Sequence, residues 1–357
     1  MSVVVLAPPN HPISGDEAEI SFLTPGGGKL LLWDKMTPFD VIDQWHADPN
    51  LEVWQRPSQA PCLRVRLSAC LDFASFKEVC TVLAVEDHIT VNFENYGGIC
   101  SMNLSGPDTD PKYMTMRLRP LSERLGVDIA ILSLPPTPSI SDPGCLFMDM
   151  DSTLIECECI DEIADFLGIR EKVASITLRA MEGELDFSAS FLERVQLLQG
   201  LKAEVLHRVY EERIRLTSGA ENLISSLSRH GWKTGLVSGG FTFFTDRLKD
   251  RLHLDFAAGN NLEIKNGLLT GRILGPVIDA REKRRSLIQK TTDWNIPLSR
   301  TVAIGDGAND IPMLEAAALG IAFHAKAKVR EVAPYSISHG GLDQTLDLLG
   351  LGNQVAT

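Results

Sequence analysis

The sequence predicts an α/β protein in which a doubly wound parallel sheet follows a smaller α+β domain. Three features support this fold class. After residue 145, strand-like apolar runs alternate with helical patterns, as in a parallel sheet covered by helices on both faces. A proline-rich segment at 132–144 separates this part of the chain from residues 1–131. At about 157–227 helical patterns follow one another without a strand, which predicts an inserted helical cap.

Residues 1–131 have the pattern of a small α+β domain. Apolar and polar residues alternate at 63–67 and 89–93, which predicts two half-buried strands. Apolar residues recur at helical spacing from Phe73 to Leu83, and the segment 116–134 predicts a helix followed by a strand. This pattern fits a ferredoxin-like fold or an ACT-like domain of the kind that binds amino acids. We expect a regulatory or interaction domain, because it contains no catalytic constellation.

Residues 132–144 are predicted to be an extended linker, because proline disfavours both helices and central strands. Residues 145–357 then form the predicted core. Apolar runs at 233–240, 301–307 and 319–323 predict parallel strands that continue the one beginning at Cys145. The Asn266-Gly267 pair predicts a tight hairpin.

Composition restricts the class of protein. The 357 residues carry a formal net charge of −13, which argues against nucleic acid as a partner because phosphate-backbone binding needs clustered Lys and Arg. No segment approaches ~18 uninterrupted apolar residues, so we expect a soluble, cytoplasmic protein with no membrane partner. The seven cysteines lack paired zinc spacing, and Cys157 and Cys159 are too close for a good tetrahedral chelate. A small-molecule substrate is the expected partner, and a homodimer is a candidate assembly.

Polar residues collect where the predicted parallel strands end. They are Asp149 and Asp151 after the first strand, Ser238, Gly239 and Gly240 after the second, Lys283, and Asp306, Asn309 and Asp310 in a later loop. Because ligands bind at the carboxyl edge of such sheets, we expect these residues to form one site. Acids without His or Cys suit Mg²⁺, while the hydroxyl, the glycine amides and the lysine suit a phosphoryl group. A carboxylate nucleophile could then form an aspartyl-phosphate.

In this arrangement the chain resembles the haloacid dehalogenase superfamily. The resemblance rests on "DMDSTLIECECIDEIA", "AMEGELDF", "SGGF" and "VAIGDGANDIPML", and it runs from about Cys145 to His339. It implies that Asp149 is the nucleophile and Asp151 the general acid and base. It also implies that Mg²⁺ is held by the Asp149 and Asp306 side chains and the Asp151 carbonyl, with Asp310 orienting the metal shell.

Within the superfamily the motifs are similar to those of enzymes that hydrolyse O-phospho-L-serine, the last step of serine synthesis. That similarity implies that Glu158 meets the substrate ammonium group and Arg194 its carboxylate, and that Met181 and Phe187 shape the cap side of the pocket. The assignment is physically reasonable, because a zwitterion needs one anion and one bidentate cation.

Several of these residues have simpler interpretations. Met181 and Phe187 could belong to a helical core. Arg194 could form a solvated ion pair with Glu193 or another acid, and Glu158 could likewise be a solvated charge. Lys283 lies among arginines and could belong to a solvated basic face, while Asn309 could cap a helix that begins near Asp310.

Two functional alternatives remain open at this point. The same fold could hydrolyse another small phosphometabolite, or transfer the phosphoryl group to an acceptor alcohol. Alternatively, the acid pair could be the phospho-acceptor of a regulatory protein, although such a switch needs no helical cap.

Overall fold

A computed structural model describes residues 2–4, 6–7, 29–30, 63–67, 91–96, 99–104, 111–133, 138–181 and 186–351. The chain divides into two compact units, one of residues 1–137 with 350–357 and the other of residues 138–349. The division falls inside the predicted linker, 132–144. The predicted helix from Phe73 to Leu83 lies outside the described residues.

The first unit contains an antiparallel sheet. Its strands and helix are β1 (Ser2–Val4), β4 (Leu63–Leu67), β5 (Val91–Tyr96), β6 (Ile99–Leu104), α1 (Pro111–Leu125) and β7 (Ile129–Ser133), with β2 (Leu6–Ala7) and β3 (Lys29–Leu30) forming a separate ribbon. The sheet order is β1-β5-β6-β4-β7. The predicted strand at 63–67 is confirmed, and the one predicted at 89–93 is observed at Val91–Tyr96. The segment predicted as helix then strand forms α1 and β7. The ferredoxin-like or ACT-like assignment stays a prediction.

The second unit contains a seven-stranded sheet. Its strands are β8 (Cys145–Met148), β9 (Lys233–Phe241), β10 (Phe256–Lys265), β11 (Leu268–Leu274), β12 (Thr301–Gly305), β13 (Leu319–Phe323) and β14 (Tyr335–Ile337). They lie in the order β11-β10-β9-β8-β12-β13-β14, and every pair is parallel except β10 and β11. The predicted parallel α/β core is therefore confirmed. Asn266 and Gly267 both have positive φ between β10 and β11, as the predicted hairpin requires.

Helices lie between these strands and after the last of them. They are α2 (Cys159–Phe166), α3 (Arg170–Met181), α4 (Phe187–Gln196), α5 (Glu204–Glu212), α6 (Ala220–Arg229), α7 (Thr242–Leu252), α8 (Ala280–Asp293), α9 (Ile311–Ala316), α10 (Ala327–Val332) and α11 (Gln344–Leu348). Helices α2 to α5 interrupt the alternation of strand and helix, as a cap does. Helix α6 directly precedes β9 and contacts it, so the predicted cap range, 157–227, ends inside a helix that packs on the sheet; α2 and α4 also contact strands, β9 and β11 respectively. Amphipathic periodicity cannot distinguish the two kinds of helix, because each buries one apolar face.

The core lies around the middle strands. Strands β8, β12 and β13 are buried along their whole length, which explains why their sequences are continuous apolar runs. Phe147 of β8 stacks on Trp294, with 5.7 Å between ring centroids. Strand β8 pairs in parallel with β9 on one side and β12 on the other, so the residues that follow these three strands meet at one edge. Within the described residues, no helix is both long and apolar enough to cross a membrane.

Candidate active site

The two acids that follow β8 face the same site because the backbone turns sharply between them. Asp149 is 5% exposed and is anchored by its amide, which donates to the Ile304 carbonyl of β12 at 3.0 Å. A π-helical turn over Met150–Leu154 follows, in which Ser152 has a positive φ of 54°. Asp151 accepts hydrogen bonds from the Cys159 amide at 2.9 Å and the Ser238 hydroxyl at 3.3 Å. The turn thus connects the nucleophile candidate to both the cap and β9.

Lys283 lies at the centre of the carboxylate cluster. Its ammonium nitrogen is 2.7 Å from Asp149 Oδ2 and 2.7 Å from Asp310 Oδ1, and the side chain is fully buried. Asp279 caps helix α8 by accepting from the Arg281 and Glu282 amides, so Lys283 occupies the first turn of a fixed helix. The interpretation of Lys283 as part of a solvated basic face is therefore wrong.

Three carboxylates form a group that could hold a metal ion. Oxygens of Asp149, Asp306 and Asp310 all lie within 4.8 Å of one another. Asp310 accepts from the Gly307 amide at 3.0 Å, and Thr153 donates to Asp306 at 3.4 Å. An all-oxygen set of this kind fits a hard divalent cation.

Burial and mutual repulsion shift the pKa values of these groups. Burial raises the pKa of Asp149 well above its usual range, the Asp310 carboxylate adds to this rise, and Lys283 opposes it. Burial and Asp310 raise the pKa of Asp306 to about 6. Burial alone would lower the pKa of Lys283, but Asp149 and Asp310 outweigh it and the net shift is upward. The lysine therefore stays charged. The carboxylates still repel one another, and a bound cation would reduce that repulsion.

The segment Ser238–Gly240, in the second half of β9, lies beside Asp151. The Gly240 amide donates to Ser238 Oγ at 2.7 Å, which turns this stretch back on itself. A Cβ on Gly240 would collide with the end of the Asp151 carboxylate, so a larger residue there would displace that side chain. The hydroxyl of Ser238 and the glycine backbone thus lie next to Asp151, as predicted.

Two charged cap residues lie close to these acids. Glu158 precedes helix α2 and accepts from the Ser152 hydroxyl at 3.1 Å. Arg194 lies in the last turn of α4; burial lowers its pKa, while the negative charges of Glu158, Asp161 and Asp151 oppose that shift. Glu193 pairs with Arg179 at 3.0 Å, so in the described contacts it is not the partner of Arg194. Met181 ends α3 and Phe187 begins α4, but their side chains lie outside the described part.

Sequence reasoning placed some residues only loosely and missed others. Asn309 lies half-buried in the loop before α9, whose N-cap position is Asp310, so the capping interpretation of Asn309 is not observed. Thr153 and the Cys159 amide were not predicted, although both lie within the motif around Asp149. Asn260, buried in strand β10, most of which is at least partly exposed, also was not predicted, because nothing in the sequence distinguishes it from the exposed Asn261 beside it.

Comparison with known proteins agrees with this geometry. The family model of haloacid dehalogenase-like hydrolases matches residues 146–315. A phosphoserine phosphatase from Archaeoglobus fulgidus is 49% identical over 233 residues, which is 65% of this chain and 67% of that protein.

Two solved structures are similar as well. A HAD family hydrolase from Salmonella enterica has a TM-score of 0.73 and 34% identity, covering 81% of this chain and 99% of its own. A structure described as a phospho-aspartyl intermediate analogue of phosphoserine phosphatase has a TM-score of 0.55 and 41% identity, covering 57% of this chain and 98% of its own. The chain belongs to the haloacid dehalogenase-like hydrolases.

Proposed function

We propose that this chain is a phosphatase that hydrolyses O-phospho-L-serine to L-serine and inorganic phosphate. The observation that carries the proposal is the Asp149 carboxylate held 2.7 Å from a buried lysine, with Asp151 and Ser238 beside it. This is a fixed anion-binding site around a carboxylate nucleophile, and an acidic and a basic cap residue lie close by. The relatives named phosphoserine phosphatase support the choice of substrate.

In the first step, an Asp149 oxygen attacks the phosphorus atom and the bond to the serine oxygen breaks. Lys283, the Ser238 hydroxyl and the backbone of Gly239 and Gly240 bind the phosphoryl oxygens, and Asn309 is a further candidate for contact with the substrate. The departing serine oxygen takes a proton from Asp151. Burial raises the pKa of Asp151, which suits a group that must hold a proton until this moment.

In the second step, the now ionised Asp151 removes a proton from water, which attacks the phosphorus atom of the aspartyl-phosphate. The bond to Asp149 breaks, and phosphate leaves with the carboxylate restored. Splitting the reaction in two lets one carboxyl group act as acid and then as base.

Mg²⁺ is the cation we assign to the carboxylate cluster. The side chains of Asp149 and Asp306 and the Asp151 carbonyl would hold it, and Asp310 would orient its surroundings. When bound, it would offset the negative charge that a phosphate ester brings to three acids. Asp310 already shares Lys283 with Asp149, so the lysine and the metal site are linked through the same carboxylates.

The cap supplies recognition of the amino acid. Glu158 would bind the ammonium group and Arg194 would bind the carboxylate in a bidentate contact, while the expected role of Met181 and Phe187 is to shape the cap side of the pocket. A cytoplasmic enzyme of this specificity would supply serine at the end of its biosynthesis. A homodimer is the assembly we would test first.

The test is phosphate release from a panel of small phosphomonoesters, with Mg²⁺ and with excess chelator. We expect phosphoserine to be the best substrate and the chelator to abolish turnover. Asp149→Asn, which keeps the shape but removes the nucleophile, should lower turnover by several orders of magnitude in a folded protein. Equal activity of that variant, shown free of deamidation, would contradict the proposal.

A further inference from the structure

The pairing between β9 and β10 is interrupted where β9 enters the candidate site. Val237 pairs with Ala258 and Phe241 pairs with Asn260, so β9 advances four residues while β10 advances two. Ser238, Gly239 and Gly240 therefore bulge out of the ladder towards Asp151. A bulge of this kind re-aims backbone groups, but it leaves some of them without a ladder partner.

The side chain of Asn260 fills this gap. Its amide nitrogen donates to the Gly239 carbonyl at 2.8 Å, and the residue is 1% exposed. Gly259, just before it, approaches the Phe241–Thr242 backbone so closely that a Cβ would clash. The backbone of β10 thus lies close against the residues that follow the bulge, and the hydrogen bond to Gly239 orients the side-chain amide of Asn260.

The other end of the same side chain reaches a different part of the site. Asn260 Oδ1 accepts from the Ile278 amide at 2.9 Å. Ile278 directly precedes Asp279, the N-cap of α8, and Lys283 lies in the first turn of that helix. A single planar amide therefore joins the bulge that carries Ser238 to the chain that leads into Lys283.

We propose that Asn260 is a positioning residue that sets the spacing between the Ser238–Gly240 bulge and the start of α8, and hence between the two groups that bind the phosphoryl oxygens. The inference rests on the proposed function of the site as a phosphomonoester hydrolase. Asn260 touches no reacting atom, so its effect passes through Gly239 and Ile278. Asn260 should therefore affect only the binding of the phosphoryl group, and recognition of the amino acid by the cap should be unchanged.

The test variant is Asn260→Asp, compared with Asn261→Asp. Aspartate at position 260 can still accept from the Ile278 amide, but it places an oxygen instead of an N–H group against the Gly239 carbonyl. Asn261 is a suitable control because it is exposed and lies one position later on the same strand. We expect the inhibition constant for inorganic phosphate to rise about tenfold or more in Asn260→Asp, as for a broken buried hydrogen bond. The rate should fall alike for phosphoserine and phosphoethanolamine, so their preference ratio stays at the parent value. Asn261→Asp should match the parent in all three quantities.

A purely structural role would give a different result. Asn260→Asp would then have a lower melting temperature but the parent's phosphate inhibition constant, measured where circular dichroism shows both proteins folded, and that outcome would overturn the proposal. Should the aspartate variant fail to fold, Asn260→Ser is neutral but too short to span both groups, and the same expectations apply to it.

Calorimetric titration of phosphate in the presence of Mg²⁺ separates the two proposals. A parent that binds phosphate without hydrolysing phosphoserine contradicts the proposed function, yet a weaker affinity in the Asn260 variants would still support the positioning role. Equal affinity in parent and variants rejects that role, whichever substrate is used.

Discussion

In this site a single ammonium group lies within hydrogen-bond distance of two carboxylates, so a substitution that removes it affects both acids. Lys283 is fully buried between Asp149 and Asp310. Removing its charge leaves two acids facing each other without water, and a broken buried ion pair is far more costly than a missing surface pair.

We therefore predict that Lys283→Met affects stability as well as activity. In chelator, its free energy of unfolding should fall by about 3–5 kcal/mol, because an uncompensated buried charge remains. The double variant Lys283→Met/Asp149→Asn should recover part of this loss, since one of the two charges is gone. Urea unfolding of the parent, the two single variants Lys283→Met and Asp149→Asn, and the double variant measures the coupling free energy between the two residues. Additive losses would show that the contact between Lys283 and Asp149 contributes nothing to stability.

The proposed recognition of the substrate carboxylate depends on a single residue, Arg194. We predict that Arg194→Ala loses about 30-fold or more in kcat/KM for phosphoserine, the scale of one lost charged contact. It should act on phosphoethanolamine, which lacks the carboxylate, nearly as well as the parent does. Paired kinetics with both substrates provide the measurement. If parent and variant show the same preference ratio, Arg194 has a structural role only.

Among the elements, the end of β9 packs closely against the turn that follows β8. We therefore expect a change in the backbone position of β9 to move Asp151 and to affect catalysis. We predict that Gly240→Ala lowers kcat by about 100-fold while the melting temperature changes little, because the added methyl meets the free end of the Asp151 side chain. Gly267→Ala is a suitable control, since its added Cβ meets nothing and its strain is confined to the hairpin. Activity assays and thermal unfolding of both variants distinguish misplacement of Asp151 from general destabilisation.

Elements differ in how much of them the sequence could predict. Strands β12 and β13 were predictable because both faces of each are buried, which leaves a continuous apolar run. The boundary between cap and core could not be predicted, because α6 has the same amphipathic pattern as the cap helices. The bulge in β9 depends on pairing with β10 and has no signature beyond its two glycines. Lys283 was predicted to belong to the site, but its burial depends on where α8 docks.

At the scale of the whole molecule, the acids make stability depend on pH and metal. The pKa of Asp306 is raised to about 6, so the folded protein without metal holds a proton that the unfolded chain releases. That contribution to stability is complete at low pH and is lost as pH rises towards and through 6.

We therefore predict that, in chelator, Asp306→Asn becomes more stable than the parent as pH rises from 5 to 7.5. The gain should be about 1–2 kcal/mol at the upper end, after allowance for solvent screening. With Mg²⁺ the order should reverse, because the parent gains binding free energy that the variant lacks. Thermal unfolding at both pH values, with and without Mg²⁺, is the measurement. An unchanged order in Mg²⁺ would remove Asp306 from the metal site.

The two units also differ in what they contribute. A solved phosphoserine phosphatase corresponds over 98% of its own chain to only 57% of this one. We predict that a fragment of residues 138–351 folds on its own and keeps phosphatase activity within about threefold of the full chain, because each unit has its own sheet. Circular dichroism and phosphate release from both proteins test this, and an inactive fragment would show that the site needs the first unit.

The position of β8 in the middle of the sheet has a consequence for synthesis on the ribosome. The strand that carries Asp149 lies between β9 and β12, and β12 begins only at Thr301. During translation, that strand emerges long before one of its two neighbours exists, and the lysine and later aspartates also follow it. Before β12 has been synthesised, the nascent chain therefore exposes one apolar edge of β8 and lacks the later aspartates of the site. We expect such a chain to be prone to aggregation and to need chaperones.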